Sequence, residues 1–98
     1  MELFKVPLEF EWDSGNRDKN LLKHRVTNTE CEEVFFDPHK RVLKETLHAG
    51  PSRQEKRYIV IGKTKEERAL YVVFTFRRSK VRVISARDIN RKERGLLP

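Results

Sequence analysis

Arg77 and Arg82 stand on either side of Arg78-Ser79, in a stretch that otherwise alternates between core-type residues and mixed ones. A guanidinium stays charged at every working pH, and its planar fork can engage two phosphate oxygens at once. If Arg78-Ser79 is a two-residue hairpin loop, Arg77 pairs with Lys80, Thr75 lies opposite Arg82, and Val73 lies opposite Ile84. Directly paired residues share a face. Leu70, Val72, Phe74, Phe76, Val81 and Val83 then form a core face. Tyr71, Val73, Thr75, Arg77, Arg82 and Ile84 form the other. A one-residue slip would turn both arginines toward the core, and the cost of burying them argues for this register. Two arginines facing away from a core suit a phosphate-binding surface, with an ordinary solvated hairpin as the alternative reading.

Other residues offer weaker chemistry. Arg87, beside Asp88, is a candidate phosphate ligand or else a structural partner of Asp88 or Glu93. Lys23 and His24 close a predicted helix, where positive groups are favoured by the helix dipole without any further role. His48 is a candidate general acid or base near neutral pH, or simply a loop histidine. Glu93 and Arg94 lie on a predicted last helix that could border the same cleft. Trp12 reads as a core or edge aromatic rather than a base-stacking platform. Cys31, on the apolar side of a helix, reads as core. It has no partner for an internal disulfide, and no Cys/His cluster has zinc spacing.

The charge is unevenly distributed. Residues 1–50 carry 8 Lys/Arg against 10 Asp/Glu, a net of −2, whereas residues 51–98 carry 14 against 5, a net of +9. A basic half can be a solvated surface, or it can draw in a polyanion such as RNA, DNA or an acidic protein. The N-terminal residues lack the apolar run of a signal peptide, and no segment approaches the ~18 apolar residues of a membrane span. A cytoplasmic protein that does not engage the membrane is the expectation. At 98 residues, with 37% hydrophobic and 38% charged, a single small domain over 1–98 is expected.

The elements that must position these residues follow from local signals. Residues 3–11 suggest a first strand interrupted by Pro7, which suits a sheet edge. Asp13 or Ser14 can cap a helix to His24, with Leu21 and Leu22 as its buried side. Thr27 and Glu30 have the spacing of a capping box, starting a second helix over about 28–36 that Asp37-Pro38 ends. The period then changes to two, with strands expected at about 40–46, 56–63, 69–77 and 80–87 and a loop at 47–55. Asp88 or Asn90 can cap a short helix through Arg94, ended by Gly95. The expected fold is α+β, an antiparallel sheet with helices packed on one face, in the order β-α-α-β-β-β-β-α.

Six blocks then match a known pattern, in order and at workable spacing over about residues 9–94. They are Phe10-Glu11-Trp12-Asp13; Asn20-Leu21-Leu22-Lys23-His24; Glu33-Val34-Phe35 with Asp37-Pro38; Arg57-Tyr58-Ile59-Val60-Ile61-Gly62; Val73-Phe74-Thr75-Phe76-Arg77; and Arg82 through Arg87 with Arg91-Lys92-Glu93-Arg94. Together they resemble the BrnT family, the toxins of type II toxin–antitoxin modules. The resemblance implies a RelE-like fold and a ribonuclease that blocks translation. It also implies a BrnA-like antitoxin with a ribbon-helix-helix DNA-binding domain, in a hetero-oligomer that meets operator DNA only through the antitoxin.

Cleavage by the RNA's own 2′-hydroxyl needs a base for its proton, a stabiliser for the crowded phosphate and an acid for the leaving 5′ oxygen. It requires no metal or cofactor, since the substrate supplies the nucleophile. Under this resemblance Arg77, Arg87, Lys23 and His48 are the catalytic candidates, and Arg82, Glu93 and Arg94 the RNA-binding ones. A non-catalytic nucleic-acid-binding module, or one whose basic face only holds an acidic antitoxin segment, are the competing readings.

Overall fold

The computed structural model describes residue 4 and residues 6–44 and 56–97. Its elements are α1 (Lys19–His24), α2 (Asn28–Phe35), β1 (Arg41–Lys44), β2 (Tyr58–Lys63), β3 (Ala69–Arg77), β4 (Lys80–Asp88) and a C-terminal 3-10 helix (Lys92–Leu96). The four strands form one antiparallel sheet in sequence order. The protein is therefore α+β, with an antiparallel sheet and two α-helices.

Alternation along the strands makes two apolar layers. Val60, Leu70, Val72, Phe74, Val81, Val83 and Ala86 point to one face, where Val26, Cys31, Val34 and Phe35 cover them. Phe74 is the centre of this layer, with its ring 4.9 Å from Phe35 edge-on. On the opposite face Ile59, Ile61 and Val73 gather Leu43, Tyr71, Ile84, Ile89, Leu96 and Leu97. The expected core face is thus observed, and α1 and α2 both lie on its side. The C-terminal helix departs from the expectation: its Leu96 packs on the other face, because Ile59, Ile61 and Val73 there also need cover.

α2 starts as expected. The Glu30 N–H donates to Thr27 Oγ1 (3.0 Å), and the Thr27 N–H donates to Glu30 Oε1 (2.9 Å). α1 is shorter than expected, because residues 14–18 form turns and Asp18 takes a left-handed φ of 58°. Its inward residue is Asn20, whose Oδ1 accepts the Ala86 N–H at 2.9 Å in a buried bond. Leu21 and Leu22 are exposed instead, Leu22 almost fully. A one-and-a-half-turn helix beside β4 has room for one inward residue, and here it satisfies the strand's unpaired edge.

The first expected strand is reduced to a parallel bridge between Phe10 and Val81. The Glu11 N–H donates to the Val81 carbonyl and the Val81 N–H to the Glu9 carbonyl, both at 2.8 Å. This segment covers one half of the β4 edge, and Asn20 serves the other.

Candidate nucleic-acid interface

The β3–β4 hairpin closes through Arg78 and Ser79, with φ of 51° and 70°. Two positive φ values are the signature of a type I′ turn, whose twist matches that of the strands. The register is Arg77 with Lys80 and Thr75 with Arg82, as the sequence predicts. Beyond Val73 it shifts: Val73 pairs with Ser85 and Phe74 with Val83, so Ile84 is the extra residue of a β-bulge. The expected Val73–Ile84 pair is not formed. The bulge lets Ala86 point to the α-helical side along with Val83, even though the two stand three positions apart, an offset that would put them on opposite faces of a regular strand.

Thr75 and Arg82 share a rung on the face opposite the helices. Tyr58 pairs with Phe74, so Arg57, one residue earlier, extends that rung across β2. The Thr75 hydroxyl donates to the Lys56 carbonyl at 2.6 Å and pins the start of β2 there. Arg57, Thr75 and Arg82 therefore form a row, with strand spacing of about 4.8 Å putting the two arginine backbones roughly 10 Å apart. Thr75, small and buried, leaves a notch between them. Arg77 stands two rungs further toward the turn on the same face, and Lys19, Gly15 and Asn16 close the far side. The notch is a cavity of about 150 Å³, and its lining carries four cationic side chains and no carboxylate.

Carboxylates stand just outside. Arg82 Nη1 donates to Glu11 Oε1 (2.9 Å) and Asp13 Oδ2 (2.8 Å), and its Nη2 to Asp13 Oδ1 (3.0 Å). These bonds hold Asp13 below the usual carboxylate range and raise Arg82. Arg77 is half exposed, with Nη1 3.9 Å from Glu11. Arg57 Nε is buried and meets no hydrogen-bond partner among the described residues.

A second cluster lies at the other end of β4. Arg87 Nη1 and Nη2 donate to the two oxygens of Glu93, both at 2.8 Å, and its guanidinium lies over the Tyr71 ring at 4.2 Å. The hydrogen bonds from Arg87 lower Glu93. Glu93 also accepts the Asn90 N–H (2.9 Å), while its own N–H donates to Asn90 Oδ1 (2.9 Å), which caps the last helix. Arg87 follows Arg82 by five positions along β4, about 16 Å in an extended strand.

The sequence-derived candidates thus fall into two groups, Arg77 with Arg82 and Arg87 with Glu93. Lys23 on α1 and Arg94 on the last helix are exposed, and neither lines the notch. His48 lies outside the described residues. Lys19 and Arg57 were not singled out from the sequence, although Arg57 stands two residues before Ile59 and so shares its face. Trp12 is partly buried against the core, with Nε1 donating to Glu32 Oε2 at 2.7 Å. Cys31 is buried, which pushes its thiol up to about 12.

A larger groove of about 950 Å³ runs beside the end of α2 and the β2–β3 turn. Its lining sets Glu32, Glu33, Asp37 and Glu67 against Lys63 and Lys65, so it does not concentrate positive charge. The notch is the better match to a phosphate backbone.

No helix among the described residues is long and apolar enough to cross a membrane. No curated protein matches the sequence. A family model described as the ribonuclease toxin BrnT of type II toxin–antitoxin systems matches residues 12–93. With that match spanning most of its length, the chain belongs to the BrnT family of ribonuclease toxins.

Proposed function

We propose that this BrnT toxin is a single-domain, RelE-like endoribonuclease that cleaves RNA without a metal. In this reading the substrate's 2′-oxygen attacks the adjacent phosphorus as its proton passes to a base. The bond from phosphorus to the 5′ oxygen breaks as an acid protonates that oxygen. Arg77 stabilises the charge that builds on the phosphate oxygens. The observation that carries the proposal is the position of Arg77, half exposed at a cationic notch on the face away from the helices. There its guanidinium can meet a phosphate with no disturbance of the core. Arg82 and Arg94 assist in binding RNA. Lys23, His48 and Arg87 are the further candidates for proton transfer and charge stabilisation, with Glu93 orienting Arg87. A BrnA-like ribbon-helix-helix antitoxin neutralises the toxin in a hetero-oligomer by covering this face, and brings the complex to operator DNA. The resulting block of translation takes place in the cytoplasm.

The test is cleavage of total RNA by purified, antitoxin-free protein in EDTA. Cleavage should persist, and Arg77→Ala should slow it roughly 100-fold or more, as loss of a transition-state donor implies. RNA affinity at fixed salt should fall much less. Cleavage that stops in EDTA and returns with magnesium refutes the metal-free route. Equal losses of rate and affinity would make Arg77 a general phosphate contact.

A further inference from the structure

We infer that Arg57 is the phosphate anchor of the notch, the residue that seats the RNA backbone beside Arg77. The inference rests on the reading of this face as an RNA surface and adds the group that holds the substrate. Three observations carry it.

The first is the orphan donor. Nε of Arg57 is the one buried side-chain nitrogen or oxygen among the described residues that lacks a hydrogen-bond partner. A buried donor without a partner is costly and calls for a reason. A ligand oxygen supplies one.

The second is the state of the neighbouring cations. Arg82 has both terminal nitrogens committed to Glu11 and Asp13, so a phosphate would have to displace carboxylates to use it fully. Arg77 stands 3.9 Å from Glu11. Arg57 has no carboxylate in contact among the described residues. Once a small turn of the side chain opens the buried Nε–H to the notch, its fork of Nε–H and one terminal N–H can therefore take two phosphate oxygens without breaking an ion pair among the described residues.

The third is rigidity. The Thr75 hydroxyl ties the preceding carbonyl of Lys56 to β3 at 2.6 Å, which fixes where Arg57 leaves the backbone. The small Thr75 side chain keeps the space beside it open. A donor held in place before the ligand arrives loses less freedom on binding.

Arginine Nε–H groups give their own nitrogen–proton NMR signals, so the anchor can be observed directly in the intact protein. The probes are inorganic phosphate and a 2′-O-methylated dinucleotide, which presents one RNA phosphodiester but cannot be cleaved. Saturating dinucleotide should move the Arg57 Nε–H signal downfield, with inorganic phosphate producing a smaller shift in the same direction. Arg57→Gln should weaken dinucleotide binding by about 10- to 100-fold. Arg57→Lys should recover only part of that loss, because a point charge lacks the fork. In cleavage assays the change should appear mainly in KM.

A wild-type Arg57 signal that stays still while other signals saturate overturns the inference, whether or not the variants fold. Dinucleotide affinity within twofold of wild type in a folded Arg57→Gln does the same. If the signal moves and the variant loses binding, yet wild-type protein cleaves no RNA, the anchor stands and the ribonuclease reading of this chain fails.

Discussion

Replacing Arg68 by Met should destabilise the protein by about 2–3 kcal/mol, a figure that follows from its partners. Nε and Nη2 form a fork on Asp88 at 2.7 and 3.1 Å. Nη1 reaches both oxygens of Glu30 at 3.2 Å. The same nitrogens donate to the carbonyls of Arg25 (2.8 Å) and His24 (3.3 Å), which the end of α1 leaves without helical partners. One side chain thus ties the end of α1, the start of α2 and the end of β4.

Asp88 is largely exposed, so solvent screening limits that pair to about 0.2–1 kcal/mol. Glu30 is three-quarters buried, and its bond and the two carbonyl bonds contribute about 1 kcal/mol each. The simple total is about 3–4 kcal/mol, and shared partners reduce it to about 2–3 kcal/mol. Met keeps most of the stem's packing, so the loss reports the polar contacts. For a domain of this size the melting temperature should fall by roughly 8–24 °C. Urea denaturation at pH 7 gives the free energy, and the difference between variant and wild type should shrink in acid as Asp88 and Glu30 protonate. A variant within about 0.5 kcal/mol of wild type would refute the view that Arg68 fastens these three elements.

Two further outcomes concern acid and the hairpin turn. Asp13, Asp88 and Glu93 are held below the usual carboxylate range by hydrogen bonds from Arg82, Arg68 and Arg87; for Glu30, burial opposes this, but bonds from Thr27 and Arg68 prevail. Depressed folded values mean that this stabilisation is complete above the unfolded values near 4 and is lost as pH falls through the folded ones; urea midpoints that stay level from pH 5 to 2.5 would contradict it. At the hairpin, Arg78→Asn with Ser79→Gly should raise stability by about 1 kcal/mol, since both positions have positive φ that these residues adopt more readily; thermal melting checks it, and no gain would show that the wild-type turn carries little strain.

The amino-acid sequence by itself determined the features that depend on near neighbours. Thr27 and Glu30 marked the start of α2, and both capping bonds form. The two-residue spacing of Leu70, Val72, Phe74 and Phe76 separated the core face from the arginine face. Arg78-Ser79 set the hairpin register through Thr75 and Arg82. Each of these rests on bonds or alternation within about ten residues, and such patterns are legible along the chain.

The tertiary structure decided what depends on distant partners. Arg82 reads as a free cation in the sequence, yet the carboxylates that hold it lie 69 and 71 residues earlier. Leu21 and Leu22 read as core, yet the need of the Ala86 N–H for a partner turned Asn20 inward and left both leucines outside. Arg57 acquires its place beside Arg77 only when β2 aligns with β3 and Thr75 pins Lys56. In each case side chains compete for one partner or one space, and which of them succeeds depends on how distant segments approach in three dimensions.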